Sequence, residues 1–347
     1  MKIDKAIHNF VVARKVENCT PRTLAWYHRT LGYFQKWLSE VYNVVEVEDL
    51  EIVHLREWIS FLQEIPSRSG KVRSDAYVAS CARALSSFCH WLEEEEILSK
   101  PVTAKFKLPR VEGKFIPTFT PEEVKQLLAA CEVDDKRSPK LNRALTARNR
   151  AIVALLIDTG VRLKELVGLR LCDVDRDRRL LLVHRKGNWW QQVPVTWDGF
   201  RYLHEYLSRH RSYLASMTVG DDGSKVRPLA HKDDPVFLTR DGKPMKWKGV
   251  EDLFDKLEKT TGIEGKRVSP HNCRRYMATT QLASGRSPLD VQRQMGHKTL
   301  TMTNKYASLS VEQIQESHDL HSPLRHTGSR NAGTGLEGLG TDYWEVE

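Results

Sequence analysis

Long apolar runs are missing from this 347-residue chain. The longest, over 151–157, is far too short to span a bilayer. The start, MKIDKAIHNFVVARK, has no apolar stretch long enough for an export signal. Cysteine is scarce and scattered: Cys19, Cys81, Cys89, Cys131, Cys172 and Cys273 form no C-x-x-C pair. Neither a zinc site nor a disulfide framework is indicated, and reduced thiols in a cytoplasmic protein fit best. No metal-ligand cluster and no internal repeat stand out, so no metal and no cofactor are expected. Acid is also in deficit, with 45 Asp plus Glu against 54 Lys plus Arg, which leaves a net charge of +9. Such an excess points to a polyanionic partner, nucleic acid before an anionic membrane, with solubility alone as the plain alternative.

What is present begins with helical periodicity. Thr20-Pro21 supplies an N-cap and a first-turn proline, and Leu24, Tyr27, Leu31, Phe34 and Leu38 follow at helical spacing. Further apolar-periodic stretches run over 53–62 and 77–92, the second ending in the acidic run 93–96, read as a solvated helix end. A basic loop rich in helix breakers, 66–71, separates them. The stretch 100–114 has little periodicity, two prolines, and Lys100, Lys105, Lys107, Arg110 and Lys114 against the single acid Glu112. It reads as an extended, exposed linker. Thr120-Pro121-Glu122-Glu123 then opens a second domain with a capping box. The expected layout is a helical domain over 1–105, a basic linker over 106–118, a second domain over 119–321 and a flexible tail over 322–347. Within the second domain, helices are expected over 147–158, 196–215, 248–260, 270–283 and 288–295, strands over 179–183 and 190–195, and a loop insertion over 216–234. The fold class is mainly α with a small β-sheet.

Four segments gather basic and histidine side chains where turn signals expose them. In TGVRLKEL, Gly160 ends one helix and Arg162 sits at the start of the next, with Glu165 three residues on and able to pair with it. The bland reading is a surface ion pair. Lys186 lies at the tip of the hairpin, followed by Trp189 and Trp190, which mark either a nucleic-acid face or simple packing. In SPHNCRR, Ser269 caps a helix whose first turn carries His271, with Arg274 on nearly the same face. That pair makes a phosphate site or an incidental basic helix start. Last come Gly296-His297 and Tyr306, a lone tyrosine that by itself reads as packing.

Their order resolves these alternatives. TGVRLKEL, a hairpin lysine in RKG, SPHNCRRYMAT and MGHKTLTMTNKY together resemble the tyrosine recombinase (phage integrase and Xer-like) family. His297 and Tyr306 stand nine residues apart, the family's spacing. Cys273, Arg275 and Met277 depart from the leucine, histidine and phenylalanine often seen around H-x-x-R, but only flank the motif positions. No arm-binding domain of the kind some phage integrases carry is expected ahead of the first helical domain in this sequence. The resemblance implies a helical core-binding (SAM-like) domain followed by an α+β catalytic domain. It implies that Tyr306 attacks the scissile phosphate, Arg162 and Arg274 clamp its oxygens, and Lys186 protonates the leaving 5′-oxygen. His271 then serves as acid/base, His297 donates a hydrogen bond to the phosphate, and Glu165 orients Arg162. It also implies double-stranded DNA sites as partner, a Holliday junction, and a homotetramer that exchanges a C-terminal helix, placed at 310–320. Arg68, Lys71, Arg73, Arg83, Lys105, Lys107, Arg110 and Lys114 are candidates for DNA contact. A type IB topoisomerase and a recombinase-derived architectural DNA-binding protein are the competing readings.

Overall fold

The computed structural model describes residues 1–66, 70, 72–98, 100–111, 116–134, 138–185, 187–217, 231–296 and 299. Lys186, His297, Tyr306, Arg68, Lys71, Lys114 and the segments 310–320 and 322–347 lie outside the described residues. The chain divides into two units, Met1–Phe115 and Ile116–Glu347.

The first unit is built from α1 (Ile3–Val16), α2 (Pro21–Tyr42), α3 (Ile52–Glu64) and α4 (Asp75–Glu94). The Thr20 hydroxyl accepts from the Thr23 amide, so the expected cap of α2 is in place. By contrast α1 starts after Lys2 without a side-chain cap. Its inner face holds Ile3, Ala6, Ile7 and Phe10. Phe10 meets Tyr27 and Phe88 edge-on at centroid distances of 5.1 and 5.5 Å, and Phe34 meets Trp58 at 5.2 Å. Each such ring removed from water contributes about 1.5–3 kcal/mol, and the edge contacts add about 0.5–1.5 kcal/mol.

Two expectations need correction here. The acidic run at the end of α4 is not wholly solvated: Glu93 accepts from the Thr103 amide at 2.9 Å and from its hydroxyl at 2.6 Å. The stretch 100–114 is not exposed throughout, because Val102 and Thr103 are buried and Phe106 packs on the core of the first unit. Apolar side chains three or four apart in an otherwise basic stretch, Val102 and Phe106, were enough to fold it back. The exposed part, among the described residues, is centred on Lys107, Leu108, Arg110 and Val111.

The second unit contains α5 (Pro121–Ala130), α6 (Pro139–Thr159), α7 (Leu163–Val167), β1 (Val174–Asp175), β2 (Leu180–Arg185) and β3 (Trp189–Pro194). Then follow α8 (Trp197–Glu205), a π-turn over Tyr206–His210, α9 (Arg211–Ala215), α10 (Trp247–Thr261), α11 (Pro270–Ala283) and α12 (Pro288–Met295). The Thr120–Glu123 capping box is made in both directions. Helix α6 starts earlier than its periodicity indicated, at Ser138-Pro139, and runs through the centre of the unit against α5, α8, α9 and α11. The sheet is antiparallel in the order β1-β2-β3, with His184 opposite Trp190 and Arg185 opposite Trp189. Gly187 and Asn188 both take positive φ in the β2–β3 turn, which suits their residue types. Among the described residues no helix is long and apolar enough to cross a membrane.

Candidate active site

Three helix ends and one hairpin build the site. Helix α6 stops at Gly160, whose φ of 63° suits glycine, and a side chain there would run into Met277 and approach Arg274. The chain turns at once into α7, with Arg162 at the N-cap. The Arg162 amide donates to Glu165 Oε2 at 2.8 Å and its guanidinium to Oε1 at 2.9 Å. Glu165 is buried, so this is not the surface ion pair that spacing alone allowed.

Ser269 and Pro270 start α11 as expected, the Ser269 hydroxyl accepting from the Asn272 amide at 3.3 Å. His271 is exposed in the first turn, while Arg274 one turn on is buried. Arg162, His271 and Arg274 line one cleft of about 580 Å³ together with Val161, Phe254 and Val268. The His271 imidazole is held below its ordinary pKa, first by desolvation against the cleft wall and then by the Arg275 and Arg274 charges. Its neutral form is therefore favoured.

The end of α12 is where these parts meet. A helix leaves its last carbonyls without intrahelical partners and carries partial negative charge there. Here four consecutive carbonyls are taken by side chains from elsewhere in the unit. Gln191 donates to the Arg293 carbonyl at 2.6 Å, and Arg185 to that of Gln294 at 2.5 Å. Arg274 donates to that of Met295 at 2.6 Å, and Arg162 to that of Gly296 at 3.3 Å. Arg274 also donates to the Gly160 carbonyl, tying the end of α6 to the end of α12. Gly296 is the left-handed C-cap, with φ 62°, and the Arg185 guanidinium packs against the place a Cβ would occupy, 3.0 Å from its Nε.

Arg185 was not singled out from the sequence. Its signal was the two-residue strand period, which puts it on the inward face of β2 with the buried Leu181 and Val183. There it donates to Glu165 Oε2 at 2.5 Å and to Gln191 Oε1 at 3.0 Å. Burial lowers the pKa of this guanidinium and the Glu165 charge opposes that shift. The tryptophans after the hairpin tip are not core: Trp189 and Trp190 are each more than two-fifths exposed, and Arg170 lies over the Trp190 ring. Among the described DNA-contact candidates, Arg83, Lys105, Lys107 and Arg110 are exposed. Arg73 is half-buried and donates to the Ile65 carbonyl at the end of α3.

Residues 117–313 match the sequence profile of the Phage integrase family, a span that includes Arg162, Lys186, His271, Arg274, His297 and Tyr306. Tyrosine recombinase XerC of Lactobacillus delbrueckii subsp. bulgaricus is 28% identical over 319 residues, covering 88% of this chain and 94% of that protein. XerC of Myxococcus xanthus is 30% identical over 257 residues, covering 73% and 79% respectively. Among solved structures, the Tn1549 transposon integrase in complex with a circular intermediate DNA superposes with a TM-score of 0.70 at 16% identity. That superposition spans 92% of this chain and 99% of the integrase chain, and carries the likeness of fold. The chain belongs to the Phage integrase family and is a tyrosine recombinase.

Proposed function

We propose that this protein is a site-specific DNA recombinase that cuts and rejoins strands through a 3′-phosphotyrosyl link to Tyr306. The observation that carries the reading is that Arg162, at the start of α7, and His271 and Arg274, on α11, line one cleft, both arginines also bonding carbonyls at the end of α12. The Tyr306 oxygen attacks the scissile phosphorus as its proton passes to His271. The bond from phosphorus to the 5′-oxygen breaks, and that oxygen takes a proton from Lys186. Free tyrosine has a pKa of about 10, so roughly one in a thousand is ionised at neutral pH, a deficit of about 4 kcal/mol for the base to offset. A neutral His271 is in the right state to accept that proton. Charge gathering on the non-bridging oxygens is met by the forked donors of Arg162 and Arg274, with His297 adding a hydrogen bond.

In the second step a 5′-hydroxyl from a partner duplex attacks the phosphotyrosine and releases Tyr306. Two rounds pass through a Holliday junction, held by a DNA-bound homotetramer. Double-stranded DNA is the partner. Exposed Arg83, Lys105, Lys107 and Arg110 suit its phosphates. The Tn1549 integrase, a protein of the same fold, was solved with DNA bound.

Tyr306→Phe tests the assignment on a suicide duplex that traps cleaved strands. The variant should bind DNA as the native protein does and form no covalent adduct on denaturing gels. An adduct formed by the phenylalanine variant would sink the nucleophile assignment. Two marked duplexes incubated with native protein should give recombinant joints, whereas relaxation without joints would make it a topoisomerase.

A further inference from the structure

Arg185 is the most deeply buried charged group around the site, its side chain 1% exposed. A guanidinium taken out of water costs several kcal/mol unless its donors are satisfied. Leu181 and Val183 fill the same inward face of β2 as ordinary apolar packing. What an apolar residue could not do is bond three elements at once. Nη1 takes the Glu165 carboxylate of α7, the same group that orients Arg162. Nη2 takes the Gln294 carbonyl, three residues before His297. Nε takes Gln191 across the hairpin, which itself reaches the Arg293 carbonyl. Arg185 is the last residue of β2, and Lys186 follows it directly.

We propose that Arg185 is a positioning residue for the acid that follows it in the chain, acting by tying the end of β2 to the Glu165 carboxylate and to the end of α12. This rests on the reading of Lys186 as the acid for the 5′-oxygen. The planar fork is essential, because one group must span a carboxylate, a side-chain amide and a backbone carbonyl in fixed directions. Lysine has the charge without the fork.

The test uses the full chain and a suicide duplex bearing a site selected from random DNA by its binding to the Tyr306→Phe protein. The duplex is made with either oxygen or sulfur bridging to the 5′-carbon at the scissile phosphate. A thiolate leaves without a proton, so sulfur removes the need for an acid and leaves every other requirement in place. Arg185→Met should form adduct about 10²-fold more slowly on the oxygen duplex, the lower end of what general acids contribute, and bind DNA within about twofold of native. On the sulfur duplex it should return to within about fivefold of the native rate, and Arg185→Lys should fall between. Equal loss on both duplexes, or no loss on oxygen, overturns the proposal.

Lys186→Met separates the two layers of the argument. If sulfur rescues Lys186→Met but not Arg185→Met, the positioning role falls and the acid assignment stands. If Lys186→Met is not rescued, the acid assignment falls and the proposal with it. Should Arg185→Met fail to fold, Arg185→Lys and Gln191→Leu are read on the same two duplexes. Preferential sulfur rescue in them supports the proposal, and equal loss overturns it.

Discussion

Among the described residues of the first unit, the buried polar side chains are Thr30, His54 and Thr103, while the second unit buries Arg148, Glu165, Asp173, Arg185, Arg211 and Arg274. The first unit is held by rings and aliphatic chains meeting one another, with Phe10, Phe34, Trp58 and Phe88 at its centre. The second has a larger apolar core but threads guanidinium groups through it, each with at least one donor on a backbone carbonyl. Arg148 takes the Leu238 carbonyl, and Arg211 takes those of Pro235 and Val236. Arg185, Arg274 and Arg162 take the end of α12. Apolar packing is non-directional and tolerates drift, whereas a fork bonded to two carbonyls admits one arrangement. A unit that only has to be a stable helical bundle can use the former. One that must hold reacting groups in register gains from the latter, even at the cost of burying charge.

That contrast can be broken from either side. The largest effect on stability should come from Phe10→Ala, about 3–5 kcal/mol by chemical denaturation, because it empties the ring cluster against Tyr27 and Phe88. A loss below about 1 kcal/mol would mean that the rings are not what holds the first unit. Next, Arg274→Ala and Arg162→Ala should each slow adduct formation by about 10²–10³-fold, as loss of an oxyanion donor does. Their stabilities should diverge. Arg274 is buried and leaves two carbonyls orphaned, a loss of about 1–3 kcal/mol, while the Arg162 side chain is 35% exposed and should cost less. Equal rates for both variants and native protein would remove the clamp.

The smallest effect is on pH. Because His271 is held below its ordinary 6.5, it stays neutral as the pH falls to that value and gains its proton only lower. If it takes the Tyr306 proton, kcat/KM for adduct formation is flat above pH 6.5 on this account and declines below it. His271→Gln should abolish that acid limb. A decline already complete at pH 7 would assign the limb to another group.

The local signals were legible because they act within a few residues of chain. Ser269-Pro270 and Ser287-Pro288 mark helices whose ends fall where their caps and periodicity place them, α11 and α12. The β2–β3 hairpin follows from Lys186-Gly187-Asn188 between two β-prone runs. The start of α6 was passed over because its first turns carry polar residues. Arg185 escaped because a charged residue at a strand end is ordinarily solvated, and the strand period that places it inward does not name its partners. Its partners Glu165 and Gln294 are 20 and 109 residues away.

Residue order alone therefore determined the family resemblance, the fold class and the cast of chemical groups, since motif spacing and caps are properties of short segments. Only the tertiary structure decided that Glu165 is buried between two arginines, that Arg162, His271 and Arg274 open on one cleft, and that four side chains close the end of α12. The physical reason is that an orphan carbonyl and a buried charge find each other through space. Which carbonyl meets which guanidinium is set by the packing of whole helices.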